Sequence, residues 1–361
     1  MDTKQLPGFS MVMTCYNQHN FIQEAVRSAL SMKYDGPMEL IIVDDASTDD
    51  SVELIEKTIA ESSSHLEVKI VRLAENKGVA GATDAGYAAA KYEWVILLDG
   101  DDVQCPDRLQ KTAELIRDYP DVVMIMLSAR QMDSHGNLWG YMSYGFFDYN
   151  VAPQELYLHT PQERVLNQCA DAGRISAYGC AMATRTCLLR GKWKKLVAED
   201  NHQRFAQDPP LQTRSVLSGP ILGSREIACH YRSHAGNILN RERVWDYNGY
   251  CEHELFMTRY AAFELATELE NLRAIERAEK EEGLSDFSPE QLLQYKECVN
   301  RRIAACRLRD RWWSVSWIRR LVRIFKYQRA VSPNFKRWAI PRLLPFRLFC
   351  RLKFNKHTAS K

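Results

Sequence analysis

The run Leu97-Leu98-Asp99-Gly100-Asp101-Asp102 sets three carboxylates directly behind an apolar stretch. Carboxylates at the mouth of a sheet are the hard oxygen donors that Mg2+ or Mn2+ takes. Three acids this close repel one another unless a cation sits among them, so a metal site accounts for the cluster better than loop carboxylates closing turns. The neighbouring Asp107 has a simpler use as the cap of the next helix. Upstream, Ile41-Ile42-Val43-Asp44-Asp45-Ala46-Ser47 repeats the design of apolar strand followed by acids. Asp44 and Asp45 could serve as helix caps alone. Two such strand ends suggest a shared ligand crevice.

Such carboxylates need a sheet to hold them. Residues 10–16, 40–43, 68–73 and 94–98 read as strands, separated by helical patterns over 17–32, over 47–59 and over 80–91. Strands alternating with helices predict an α/β fold, a mostly parallel sheet flanked by helices with ligands at its carboxyl edge. A helix over 107–119 and strands over 122–127, 175–184 and 221–231 extend it. The irregular, aromatic stretch 128–168 reads as a lid or part of an acceptor site. Beyond about residue 240 only helices are expected: one over 252–282, and a second opened by the capping box Ser288-Pro289-Glu290-Gln291. The chain therefore divides into a catalytic domain, 1–240, and a helical extension, 241–361, whose long helices could also pair two copies of the chain.

Charge separates the same two parts. The net +2 of the 361 residues hides eighteen Lys and Arg against the single acid Asp310 in residues 301–361, a balance of +17, while the first 300 carry 30 bases and 45 acids, −15. On a helix through 313–326, Trp313, Trp317, Ile318, Leu321, Val322, Ile324 and Phe325 share one side, and Arg319, Arg320, Arg323 and Lys326 the other. That pattern suits a helix lying in a membrane interface, where each basic group near anionic lipid contributes about 1 kcal/mol. Residues 345–354 repeat the mix of Phe, Leu and Arg. No nucleic-acid motif accompanies the charge, so nucleic acid is not an expected partner. Residues 1–10 lack the apolar core of a signal peptide, and no uncharged apolar run reaches eighteen residues. The ten scattered cysteines form neither a CxxC pair nor a zinc spacing. A cytoplasmic protein with reduced thiols, peripheral on the cytoplasmic face of a membrane, is expected.

Six motifs in order resemble the inverting family 2 glycosyltransferases of GT-A fold, over roughly residues 8–240. They are Val12-Met13-Thr14-Cys15-Tyr16-Asn17, Val43-Asp44-Asp45-Ala46-Ser47-Thr48-Asp49, Asn76-Lys77-Gly78, Leu98-Asp99-Gly100-Asp101-Asp102, Asp208-Pro209-Pro210-Leu211-Gln212-Thr213-Arg214 and Tyr231-Arg232-Ser233-His234-Ala235-Gly236-Asn237. The resemblance implies that Thr14, Tyr16, Asp45 and Gly78 border the nucleoside, that Asp102 ligates Mn2+ or Mg2+, and that Asp101 holds the ribose, the metal or both. His234 would reach the metal or the diphosphate, to which Arg232 could also pair. The cation would act as a Lewis acid for the leaving diphosphate. Inversion needs one general base opposite the leaving group. Asp208, followed by Leu211 and Arg214 at the family's spacing, takes that role ahead of Asp200 in the pair Glu199-Asp200. Where many members read Ala-Arg-Asn, this chain has Ala82-Thr83-Asp84, so an Arg contact to the donor is missing.

The resulting expectation is a metal-dependent transfer of a sugar from a nucleotide donor, a UDP-sugar, to a hydroxyl of a lipid-linked saccharide in cell-surface polysaccharide assembly. A polyprenyl-phosphate sugar synthase would use a phosphate nucleophile and would not need Asp208. A nucleotidyltransferase would carry a Gly-rich, basic loop after its first strand, where this chain has Thr14-Cys15-Tyr16-Asn17-Gln18. A non-catalytic membrane-bound scaffold would tolerate loss of Asp102 and Asp208 together.

Overall fold

The computed structural model describes residues 6–142, 156–170, 179–197, 205–234, 237, 247–327 and 341–359. Its centre is a ten-stranded sheet whose main path runs β3-β2-β1-β4-β9-β6-β10-β5. These strands are β1 (Phe9–Cys15), β2 (Met38–Asp44), β3 (Glu67–Arg72), β4 (Trp94–Asp99), β5 (Val103–Gln104), β6 (Met124–Met132), β9 (Met182–Arg185) and β10 (Ile221–Arg232). Two more sit off the path: β7 (Leu138–Met142) on β6 and β8 (Leu156–Leu158) on β10. Pairing is parallel from β3 through β4 and between β6 and β10, and antiparallel where β9 joins β4 to β6.

The inner strands β1, β2 and β4 are mainly apolar because both faces are covered, whereas β3 at the edge exposes Glu67, Lys69 and Arg72. Alternate residues feed two separate cores. Val12, Ile41, Val95 and Leu97 enter one, with Ala82 and Tyr87 of α3 (Gly78–Ala89) and Leu211 and Val216 of α6 (Asp208–Ser218). Met11, Met13, Ile42, Ile96 and Leu98 enter the other, with Ile22 and Val26 of α1 (Ile22–Leu30), Ile55 of α2 (Ser51–Ala60) and Leu109 of α4 (Arg108–Asp118). A one-residue slip in any of these strands would exchange its two apolar sets.

The helix α5 (Pro161–Cys169) begins with a capping box at Thr160 and Glu163. The long α7 (Tyr247–Lys280) and α8 (Pro289–Arg309) pair with each other, and Ile275, Tyr295 and Val299 belong to the same apolar cluster as Val12 and Ile41. The extension thus shares the first core of the sheet. The capping box expected at Ser288 closes reciprocally with Gln291. Two shorter helices follow, α9 (Trp317–Tyr327) and α10 (Phe346–Ala359). No helix among the described residues is long and apolar enough to cross a membrane. The stretch read as a lid falls partly on β6, β7, β8 and α5, and its segment 143–155 lies outside the described residues.

Candidate active site

The carboxyl ends of β1, β2 and β4 open into one cavity of about 440 Å³. The loops after β1 and β2 hold each other in place: the Asn17 N–H donates to Ser47 Oγ at 3.0 Å, and the Thr48 N–H donates to Asn17 Oδ1 at 2.8 Å. Asn17 (φ 52°) and Ala46 (φ 61°) adopt left-handed backbone there, a conformation that costs a non-glycine residue energy and is fixed by these cross-loop bonds. The two acids of β2 separate. Asp44 accepts the Ser47 N–H at 3.3 Å and closes the turn, whereas Asp45 lines the cavity with its Oδ1 held by the Lys77 N–H at 2.7 Å. Gly78, at φ 74°, starts α3 on the same wall. Tyr16 stands at the rim, 44% exposed.

Asp99 and Asp101 line the middle of the cavity. Asp101 Oδ2 lies 3.0 Å from His234 Nε2 and 3.4 Å from the Asn237 amide nitrogen. Burial, followed by the charges of Asp101 and Asp208, pushes the Asp99 carboxyl up to about 8, with Arg108 and the Thr14 hydroxyl acting in opposition. Crowded carboxylates held next to an imidazole form a donor set that a divalent cation would relieve of repulsion, and both Mg2+ and Mn2+ take such oxygens. The residues present therefore fit such an ion.

Asp102 does not reach the cavity. It is fully buried, its Oδ1 accepts the Arg232 N–H at 2.8 Å, and its Oδ2 has no hydrogen-bond partner. Its ligand atom and those of Cys180 and Cys229 lie within 4.8 Å of one another, and burial pushes its carboxyl well above the usual range. The acids of this turn that line the cavity are thus Asp99 and Asp101, while Asp102, expected as a metal ligand, lies outside its lining. Gly100 is closely enclosed: a Cβ there would stand 2.1 Å from Gln18 Oε1, so that side chain would have to move, and 3.0 Å from the Thr14 carbonyl. Arg232 is also turned from the role suggested for it: its guanidinium donates to Glu24 at 2.5 Å and to the Asp101 carbonyl at 2.8 Å, and lies over the Phe21 ring.

Opposite these acids stands Asp208, first residue of α6, where Pro209 and Pro210 start the helix without the N–H groups a helix leaves unpaired. Asp208 Oδ1 is shielded from solvent and has no hydrogen-bond partner. Burial pushes its carboxyl up to about 7, and the Gly179 N–H opposes that rise. Asp200 lies outside the described residues. The departure at Asp84 has a structural use: its carboxylate accepts the N–H groups of Leu196 at 2.7 Å and Val197 at 2.9 Å, while Arg214 donates to the Leu196 carbonyl at 3.1 Å. Together they clamp the chain ahead of Asp208.

Gly179 approaches Asp208 closely enough that a Cβ would meet Oδ1 at 2.8 Å and Gln207 Nε2 at 2.6 Å. A Gly179→Ala variant is expected to displace the carboxyl and lower kcat by about 10- to 100-fold, with nucleotide affinity unchanged. Single-turnover rates beside a nucleotide titration check this.

The structure brings Thr14, Tyr16, Asp45, Gly78, Asp101 and Asp208 to one cavity, with His234 reaching it through Asp101. Sequence reasoning did not select Asp99 or Asn237, although both lie within quoted motifs. It missed Phe205, Tyr260 and Phe263 as wall residues. The last two come from α7, with ring centroids 5.3 Å apart, and Tyr260 also stacks on Phe256 at 5.6 Å. Nothing local marks them, since only the docking of α7 on α6 carries them to the site.

The sequence pattern of glycosyl transferase family 2 matches residues 10–184, which contain β1 through β4 and both acidic strand ends. This segment is a family 2 glycosyltransferase domain. The chain is 36% identical over 100 residues to the poly-beta-1,6-N-acetyl-D-glucosamine synthase of Staphylococcus epidermidis, 28% of this chain and 23% of that protein. It is 34% identical over 103 residues to the synthase of the same name from Staphylococcus aureus (strain MSSA476), 28% and 24% of the two chains. The match spans about a quarter of these relatives' length. The fold is that of S. aureus TarS, with a TM-score of 0.52 at 16% identity over 96% of this chain and 53% of that one. A mannosyltransferase from Pyrobaculum calidifontis, crystallised with GDP-Man and Mn2+, gives 0.50 at 13% identity over 97% and 88%. Both likenesses concern the fold, a GT-A-type sheet flanked by helices. Asp208, Tyr260 and Phe263 lie beyond the family match, so the rest of the cavity wall is built by this chain's later segments.

Proposed function

We propose that this chain transfers a sugar from a UDP-sugar, UDP-GlcNAc in the first instance, to a hydroxyl of a saccharide with inversion at the anomeric carbon. One observation carries the reading: Asp208, whose Oδ1 is shielded from solvent and has no hydrogen-bond partner, shares a cavity with the paired acids Asp99 and Asp101. The names of the curated relatives, N-acetyl-D-glucosamine polymer synthases, support the choice of donor sugar.

Each wall has a task in this reading. Asp45, Thr14 and Tyr16 receive the nucleoside, Asp45 accepting from the base and Tyr16 closing over it from the rim. Asp99, Asp101 and His234 would hold Mn2+ or Mg2+, which when bound supplies charge neutralisation for the departing diphosphate. Asp208 takes the proton of the acceptor hydroxyl as it attacks the face opposite the leaving group. Tyr260 and Phe263 offer apolar ring faces to the acceptor sugar and exclude water from the reacting centre. The basic carboxy-terminal stretch supports a lipid-linked acceptor at the cytoplasmic face of a membrane, in the assembly of a surface polysaccharide.

Calorimetric titration with UDP, GDP and TDP, each with and without Mn2+, tests the donor site. Binding of UDP that depends on Mn2+, followed by release of UDP from UDP-GlcNAc in the presence of a saccharide acceptor, is expected. Failure of every nucleotide to bind would overturn the reading.

A further inference from the structure

The helix α9 exposes its apolar side and turns part of its charge inward. None of its eleven residues is buried, and Trp317, Ile318, Val322 and Phe325 are 57–68% exposed. At 100° per residue these four span a continuous arc. On the inner side, the Arg320 guanidinium stacks on the Trp313 ring at 4.9 Å and donates to the Val315 carbonyl at 3.2 Å, while Arg323 donates to the Asp310 carbonyl. A helix on an aqueous surface has the opposite polarity.

Next to it, α10 is fixed through its buried Phe349 and Cys350, and Phe349 meets the Trp313 ring at 5.4 Å. That anchoring leaves Leu348 and Leu352, one turn apart, in solvent beside the exposed Arg347 and Arg351. Of the thirteen large hydrophobic side chains exposed among the described residues, seven lie between 317 and 352. Contiguous exposed apolar surface marks an interaction site.

We infer that α9 and α10 form a surface that seats in the headgroup region of an anionic phospholipid membrane. Charge selects this occupant. Residues 301–361 carry +17, so two such faces placed against each other in a dimer would repel, whereas an anionic leaflet attracts them. Nucleic acid would meet aromatic and aliphatic side chains where phosphate contacts are needed. The remaining −15 of the chain is repelled by the same leaflet, which orients the protein with its tail to the lipid. The inference deepens the lipid-linked acceptor reading, yet it is read without turnover, so an inactive protein leaves it standing.

The test is co-sedimentation of the full chain with vesicles of phosphatidylcholine alone or mixed with phosphatidylglycerol, at low and high salt, for wild type and a Trp317→Ser/Phe325→Ser variant. Wild type is expected to bind the phosphatidylglycerol vesicles with a blue-shifted tryptophan emission. The variant is expected to bind about tenfold more weakly, with UDP affinity and circular dichroism unchanged. Wild type that stays in the supernatant at low salt overturns the inference. So does a variant that binds as well as wild type, since charge alone would then hold the protein. Self-association by light scattering that the variant abolishes, without vesicle binding, would assign the face to a second copy of the chain.

Discussion

Asp208→Asn is expected to lower kcat about a thousandfold while UDP-sugar binding stays within a few fold of wild type. The amide keeps the shape of the side chain but cannot take the proton of the acceptor hydroxyl. It also removes one of the charges that raise the Asp99 carboxyl, so donor affinity has no reason to fall. Steady-state transfer rates beside calorimetric titration of UDP separate the two effects. An Asp208→Asn enzyme that retains a tenth of the wild-type rate would remove Asp208 from the base role, and Asp200→Asn is then the variant to compare.

The environment of Asp208 also sets a pH dependence. Burial raises its carboxyl to about 7, so below that pH it holds a proton and cannot accept another. The transfer rate of the wild type is expected to climb through about pH 7, where an ordinary carboxylate would already be flat above pH 5. Stability runs the other way. A carboxyl whose folded pKa lies above its unfolded value of about 4 contributes its full stability below pH 4 and loses that contribution as the pH rises through 7. Asp208→Asn should flatten this part of the stability profile.

The parts of this protein most legible from sequence are those in which local pattern and tertiary position coincide. Mainly apolar runs at 10–16, 40–43 and 94–98 became the buried parallel strands β1, β2 and β4, because strands covered on both faces carry such runs. Acids directly after those runs had to emerge at the carboxyl edge, and Asp45, Asp99 and Asp101 do. Direction within a turn is a finer matter. Asp101 and Asp102 are adjacent, yet the short strand β5 that begins at Val103 pairs with β10, leaving Asp102 beneath Arg232 and Asp101 facing the cavity. No composition or spacing encodes that choice. The basic helix was recognisable as amphipathic, while the side it turns outward depends on Trp312 and Trp313, whose rings and neighbouring carbonyls engage the arginines. Tyr260 and Phe263 look like ordinary members of a long helix until α7 is docked.

The same fine distinction yields the second large effect. Asp99→Asn combined with Asp101→Asn is expected to weaken Mn2+-dependent UDP binding at least about a hundredfold, because these two carboxylates supply the cavity's oxygen donors beside His234. Asp102→Asn is expected to leave that binding within about threefold of wild type. Its Oδ1 keeps the Arg232 N–H and the side chain stands outside the cavity, so an amide of equal size changes little there. Titration of Mn2+ and UDP into the two variants checks both expectations at once. If Asp102→Asn lost the metal as fully as the double variant, the ion would have to reach the buried pocket beside Cys180 and Cys229. The turn from 99 to 102 would then have to rearrange on binding. If only the double variant lost it, the chain would bind the cation through the first and third residues of Asp99-Gly100-Asp101. Gly100 between them would let the turn lie close to Gln18 and the end of β1, where a side chain would have to displace Gln18.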